Sequence, residues 1–344
     1  MATFFTTEDI ADLTKGTLRD LGPPKFSQIA QSLTRYEIFT KWFKKDKMVI
    51  DSGYGIQRNL MTRLPNSARH RGLNDEDSTS VADLMEQIQI PWKYATTSWG
   101  FEYNEVLDNR GKALVFNIFE PRRAGAILAL IEEIETKAWA APSAVGTTDP
   151  YGIPYWIVKN ATTGFNGGYP SGHTALAGLD LTNAANFKNY TAQYTNVTKS
   201  DLVRKMRTGA RATNFISPIT INDYRGSTGA NYRFYTNEAV IATLEDLGEG
   251  QNENLGRDVA SMDGQMTFHS NAIIYVPQLD SDTQNPIYQI DHNSFSPVAK
   301  KGNWMRESDV IRDPKKHDWF YIPTDVAYNY LCTNRRSDAV YNIA

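Results

Sequence analysis

The chain has 344 residues, 41% of them apolar and 22% charged, with a formal charge of -3. That length holds one large or two modest domains with a real core. The charge gives no bulk attraction to nucleic acid, so any such contact has to come from a local patch. Cys332 is the sole cysteine, which excludes an internal disulfide framework and suits a reducing compartment. No apolar run approaches the roughly 18–20 residues that span a bilayer, and MATFFTTEDIADLT lacks the basic-then-apolar order of a secretory signal.

Residues Thr7 to Leu21 read as a short amphipathic helix, with Thr6 or Thr7 as cap, Glu8 and Asp9 in the first turn, and Ile10, Leu13, Leu18 and Leu21 on one face. A second helix is expected from Phe26 to about Phe43, turning Ile29, Leu33, Ile38 and Phe39 inward. It closes in KWFKKDK, where Lys44, Lys45 and Lys47 either match the helix dipole or form a basic patch facing phosphate.

From Asp51 a polar, extended arm of about fifty residues begins, and it lacks the apolar density to fold alone. Its outgoing limb carries Arg58. Around its tip stand Arg63, Arg69 and Arg71, then Asp75, Glu76 and Asp77. Such a split of charge either pairs with complementary patches on a neighbouring copy or decorates a solvated loop. The return limb alternates at Ile88, Ile90, Trp92 and Tyr94, the period of a strand. It leads to a long helix, PRRAGAILALIEEIETKAWAAP, whose Ile127, Leu130, Ile131, Ile134 and Ala138 share one face, opened by Pro121 and closed by Pro142. An arm anchored on a long helix needs something to lie on, and a second copy of the chain is the expected support.

The stretch from Ser143 to Gly178 is rich in Gly, Pro, Thr and Asn around an apolar island, GIPYWIVKN, expected as a short strand. A helix capped by Ser200 follows through Phe215, then a strand and a helix over RFYTNEAVIATLEDLGEG. NAIIYVPQL, NPIYQID, SFSPVAK and the closing HDWFYIPTDVAYNYLCTNRRSDAVYNI read as strands rich in aromatic and β-branched residues. The pattern is α+β, helices early and strands late.

Catalytic patterns are sparse. Pro170-Ser171-Gly172-His173 matches the central tetrapeptide of type-2 phosphatidic-acid phosphatases and vanadium haloperoxidases, and it keeps a phosphate-ester hydrolase open as the alternative function. The Ser-Arg block that such enzymes require downstream is absent. The five histidines never pair at metal-ligand spacing, no phosphate-cradling glycine loop is present, and neither metal nor cofactor is expected.

This order of elements resembles the major capsid proteins of tailed phages, with the Hong-Kong-97-like fold. FEYNEVLDN before the long helix, GIPYWIVKN after it, PIYQIDHNSFSPVAKKGNWMRE, and the closing NYLCTNRRSDAVYNI look like segments of such proteins. The resemblance implies an N-terminal arm over residues 1–50 and an extended E-loop over 51–103. It implies a peripheral domain with a spine helix over 104–149 and 286–330, and an axial domain over 150–285 and 331–344. It implies a non-enzymatic shell subunit of the virion that forms hexamers and pentamers, with another structural virion protein, such as a tail or decoration component, as a further alternative. Scaffolding, portal and cement or decoration proteins would be its partners, with no membrane. Arg58, Arg63, Arg69, Arg71, Asp75, Glu76 and Asp77 would then make inter-subunit contacts. Lys44, Lys45, Lys47, Arg122 and Arg123 would face packaged DNA through weak, non-specific contact. Two departures stand out: only some 25 residues precede Phe26, which suggests a separate scaffold or none, and the arm tip carries arginines and no lysine, which argues against covalent cross-linking.

Overall fold

The computed structural model describes residues 30–51, 53–65, 68, 70, 72–73, 84–108, 119–215, 231–249 and 266–344. In chain order these form a π-type helix α1 (Ile38–Asp46), strands β1 (Met48–Ile50), β2 (Gly55–Met61), β3 (Met85–Pro91) and β4 (Lys93–Glu102), then helices α2 (Tyr103–Asp108), α3 (Phe119–Ala138) and α4 (Ile153–Trp156). They continue as β5 (Tyr190–Tyr194), α5 (Arg204–Thr213), β6 (Tyr232–Thr236), α6 (Glu238–Glu249), β7 (Thr267–Phe268), β8 (Asn271–Tyr275), β9 (Ile287–Asp291) and β10 (Phe295–Lys300). The last are β11 (Arg306–Glu307), β12 (Ile311–Arg312), β13 (Trp319–Cys332) and β14 (Ala339–Ile343). The chain divides into two compact units. One holds Tyr94–Ile134 and Gly302–Ala327 with the chain up to Thr34; the other holds Arg35–Lys93, Glu135–Lys301 and Tyr328–Ala344.

In the first unit, residues 319–327 of β13 pair with β11 and β12, and β4 also pairs with β13. Phe101 stacks on Phe320 at 5.7 Å and meets Phe119 edge-on at 5.0 Å, with Trp99 alongside. Gly100 permits this layer, because a Cβ there would lie 2.8 Å from the Phe320 carbonyl oxygen. α3 spans twenty residues, with Pro121 in its first turn, where no intrahelical N–H is required. Its buried residues Leu130 and Ile134 lie in this unit and Ala138 in the second, at the four-residue spacing of the face that the sequence marked.

The second unit is built on a six-stranded sheet in the order β5-β14-β9-β6-β8-β7. β14 runs parallel to β5 and antiparallel to β9, and β6 runs antiparallel to β9 and parallel to β8. Every residue of β9 is buried, as a strand covered on both faces requires. The core joins Tyr190, Tyr194, Phe234, Ile273, Ile287 and Tyr341 of the strands to Met206 of α5 and to Val240 and Leu244 of α6. Val298↔Asn329 and its neighbours pair β10 with residues 328–332 of β13, and β1 adds itself parallel to β10.

α1 begins at Ile38 instead of Phe26, and residues 30–36 are not helical. Its start is fixed by a distant partner: the backbone N–H groups of Ile38 and Phe39 donate to the two oxygens of Glu135, each at 3.1 Å. That carboxylate satisfies first-turn donors that local sequence leaves unpaired. The buried face is Ile38, Trp42 and Phe43. Trp42 packs edge-on to His292 at 4.7 Å and Tyr235 at 5.4 Å, each contact worth about 0.5–1.5 kcal/mol beyond area burial.

Two further segments differ from expectation. GIPYWIVKN forms the short helix α4, because Gly152 and Pro154 open a turn that buries Ile153, Tyr155 and Trp156 together. The helix expected to start at Ser200 is capped two residues earlier: Thr198 accepts from the Asp201 N–H, and a π-type turn at Lys199–Val203 leads into α5.

Four neutral acceptors enclose the guanidinium of Arg335, which is fully buried in the second unit. It donates to the Trp156 carbonyl oxygen at 2.5 Å, to Phe187 O and Gly168 O at 3.1 Å, and to Asn189 Oδ1 at 2.9 Å. This one side chain ties the loops that carry residues 156–189 to the chain just before β14.

Candidate functional site

The feature that distinguishes this chain is the β2–β3 hairpin. Its register runs from Gly55↔Pro91 to Met61↔Met85, so directly opposed residues share a face. Ile56, Ile88 and Ile90 fall on one face and are buried. Gln57, Asn59, Met61, Met85, Gln87 and Gln89 fall on the other and are exposed. Within the second unit the hairpin is held at several points. Gln89 N donates to Ala177 O at 2.8 Å, Asn329 Nδ2 to Pro91 O at 2.7 Å, Trp92 Nε1 to Gly53 O at 3.0 Å, and Arg63 Nε to Asn183 O at 2.9 Å. The base of the arm is therefore part of the unit, in contrast to a limb without apolar density.

The outward face of the hairpin is uncovered, even though Thr62, just past β2, is buried and accepts from Asn186 Nδ2 at 3.4 Å. Met61 and Met85 are 54% and 53% exposed, Leu64 is 78% exposed, and Leu73 is fully exposed. Among the described residues the sheet containing β2 and β3 has these two strands alone. A two-stranded ribbon with one bare face is marginal in water, and exposed large apolar side chains gathered at one end mark an interaction surface. The sequence reading named the charged residues of the tip and missed these four. The signal was there: Met61 and Met85 stand out of phase with Ile56, Ile88 and Ile90, so a strand that buries the isoleucines must expose the methionines.

Of the candidate contact residues, Arg58 is half-buried on the inward face of β2, and Arg63 is bound to Asn183. Arg69, Arg71, Asp75, Glu76 and Asp77 lie outside the described residues. Of the candidate phosphate-facing residues, Lys44 and Lys45 are exposed at the end of α1 and Lys47 is half-buried. The two arginines are engaged inside the first unit. Arg122 makes a two-pronged pair with Glu105 at 2.6 and 3.0 Å and also donates to Gly100 O; Arg123 pairs with Glu307 at 2.7 and 2.9 Å. Arg122 holds Glu105 below its ordinary pKa in spite of the burial that opposes it.

The Pro-Ser-Gly-His loop is a packed turn. His173 is 8% exposed, its Nε2 lies 2.9 Å from Pro142 O, and its ring meets Tyr155 edge-on at 5.2 Å. Gly172 has φ +78°, and a Cβ there would sit 2.3 Å from Ser143 O, so the glycine serves chain crossing. Asp291-His292 is likewise internal: burial pushes the His292 imidazole down to a pKa of about 3, and its Nε2 lies 2.9 Å from Tyr235 Oη. Among the described residues no group of three His, Cys, Asp or Glu is placed to hold a metal ion.

No protein-family model and no curated protein matches the sequence. Solved structures do. The capsid asymmetric unit of cyanophage A-1(L) superposes with a TM-score of 0.64 at 13% identity, covering 99% of each chain. The capsid of a native GTA particle gives 0.59 at 13% identity over 94% of this chain and 96% of its own. The capsid of Myoviridae phage XM1 gives 0.52 at 11% identity over 95% and 97%. The likeness runs end to end, and it establishes the architecture that the sequence resembled: the chain has the α+β fold of tailed-phage capsid proteins.

Proposed function

We propose that this chain is the major capsid protein of a tailed phage, a non-enzymatic subunit that assembles into hexamers and pentamers of an icosahedral head enclosing double-stranded DNA. The observation that carries the reading is the end-to-end likeness to phage capsid chains, 99% of both chains in the cyanophage case. The uncovered hairpin agrees with it. In this reading β2 and β3 form the E-loop within 51–103, and α3 is the spine of a peripheral domain over 104–149 and 286–330. The six-stranded sheet belongs to an axial domain over 150–285 and 331–344, and residues 1–50 are the N-terminal arm. The contacts between copies are head-to-tail and close by rotation. Beyond the Gly55↔Pro91 pair, limbs of roughly 18 residues at about 3.3 Å each reach at most some 60 Å, enough to lie across a neighbour. Scaffolding, portal and cement proteins are the further partners, and the virion is the location.

Negative-stain electron microscopy of the purified full chain tests this directly. Concentration-dependent rings or shells are expected. A strictly monomeric species at high concentration, without shells when a scaffolding protein is co-expressed, overturns the reading. The hydrolase alternative predicts turnover of a generic aryl phosphate that His173→Ala abolishes. With His173 packed against Pro142 and Tyr155, no turnover is expected.

A further inference from the structure

α5 has two opposite faces. Met206, Gly209 and Thr213 are buried, at spacings of three and four. Arg204, Arg207 and Arg211 repeat that spacing two residues earlier and are exposed. Two residues are about 200° of helical turn, so the arginines stand diametrically away from the sheet. The inward side is locked by a polar network. Tyr341 Oη donates to Gln289 Oε1 at 2.9 Å, Gln289 Nε2 to Thr213 Oγ1 at 2.9 Å, Thr213 Oγ1 to Gly209 O at 2.9 Å, and Tyr232 Oη to Thr213 O at 2.9 Å. The outward side is thereby held in one orientation.

Among the described residues Arg204, Arg207 and Arg211 make no ion pair, although Arg211 Nε donates to Arg207 O at 3.3 Å within the helix; Lys205 is paired with Asp201 at 2.5 Å. Other surface arginines are engaged: Arg122 with Glu105, Arg123 with Glu307 and Arg306 with Asp325. From Lys199 to Arg211 the chain carries five cations and one carboxylate, within a protein of net charge -3. The outward face of α5 contributes no exposed large apolar side chain. Protein interfaces centre on aromatic, Met and aliphatic anchors, while phosphate contact needs only positioned cations, best as guanidinium forks.

We propose that the outward face of α5 is a contact surface for the phosphate backbone of double-stranded DNA. The inference rests on the shell reading for the source of the DNA and replaces Arg122 and Arg123 as the residues that meet it. The three arginines cover about 10 Å of helix, over which a duplex presents about six phosphate charges. Contact of this kind ignores base sequence and weakens with salt.

The test is anisotropy of a fluorescein-labelled 20-base-pair duplex with the full chain, between 50 and 200 mM salt. R204Q/R207Q/R211Q keeps strong helix formers in α5. It should lose at least about tenfold in affinity and lower the slope of log K against log salt by about 2–3, the share of three phosphate contacts. K44Q/K45Q should change affinity less than about threefold, and the corresponding triple Arg→Lys variant should retain most binding. Triple-Gln binding within twofold of wild type overturns the proposal, as does a polyglutamate chain that displaces the duplex at equal charge, which would make the partner an acidic protein segment. Should the triple fold poorly by circular dichroism, Arg207→Gln alone is read, with about a threefold loss expected and no loss overturning the proposal. Particles are scored by microscopy in the same preparations. Shells with undiminished DNA affinity in the triple variant remove only this inference, while absence of any particle removes the shell reading.

Discussion

Two β-structures in the second unit solve the problem of a bare face in opposite ways. In the six-stranded sheet, β9 lies between β14 and β6 and is buried at every position, with Met206 of α5 and with Val240 and Leu244 of α6 in the same core. In the hairpin, β2 and β3 bury Ile56, Ile88 and Ile90 on one side and leave six residues of the other side in water. The sheet is covered within one chain; the hairpin leaves one face bare. On the shell reading, a subunit that folds before it assembles needs both kinds, one whose loss unfolds it and one whose loss leaves it intact and alone. Substitutions can separate the two.

The largest effect is expected at Arg335. Burial draws its pKa down to about 10, so it remains a cation at neutral pH, and its donors engage Trp156 O, Phe187 O, Gly168 O and Asn189 Oδ1. Arg335→Ala strands these acceptors without water and should cost about 3–5 kcal/mol in urea unfolding. Arg335→Lys, which lacks the planar fork, should recover only part. A loss under 1 kcal/mol would mean that the loops are held by something other than this side chain.

Glu135 makes stability depend on pH. Burial raises its carboxyl from the ordinary 4.5 to about 7, against the lowering effect of N–H donors from Ile38 and Phe39. The folded chain therefore holds this proton more tightly than the unfolded chain between those values, and this contribution to stability falls as pH rises through the interval, by at most about 3 kcal/mol. Glu135→Gln should flatten that slope. Parallel wild-type and variant melting curves across pH 5–8 would show that the carboxyl ionises without cost.

Gly209 is where α5 meets β14. A Cβ there would lie 2.0 Å from Tyr341 Oη, so Gly209→Ala should cost about 1–3 kcal/mol by overpacking. Tyr341→Phe in the same chain should relieve part of it, a coupling that a double-mutant cycle resolves. Additive losses would mean that the helix shifts freely on the sheet, which would weaken the case that the arginine face is held in one orientation.

What was legible in sequence follows the range of the forces involved. The long helix announced itself because Leu130, Ile134 and Ala138 repeat at helical spacing between Pro121 and Pro142. The return limb was legible because Ile88, Ile90 and Trp92 alternate. The start of α1 was not, because its cap is a carboxylate 97 positions away. Pairing bears on the candidate phosphate-facing residues too: Arg122 and Arg123 are cations like any other until Glu105 and Glu307 are seen beside them. The α5 arginines were not legible, since exposure without an ion-pair partner is a property of the fold.

The smallest effect on folding should accompany the largest on assembly. Met61 and Met85 face each other across the hairpin, both about half exposed, with Leu64 and Leu73 further out. Replacing the two methionines by Ser removes little packing within the chain, so unfolding should change by less than about 0.5 kcal/mol, as for surface substitutions elsewhere. If the bare face is completed by a neighbouring copy, the same pair of changes removes its apolar anchors and should abolish rings and shells in electron micrographs at concentrations where wild type forms them. Removing residues 64–83 and closing the gap with a short turn should do the same while sparing Ile56, Ile88 and Ile90, so a folded monomer is expected. Loss of folding in the Met61→Ser/Met85→Ser variant would place the distal hairpin with the sheet instead of against it. Unimpaired assembly would leave the exposed apolar end without a partner in the shell and shift the grip between copies to another surface.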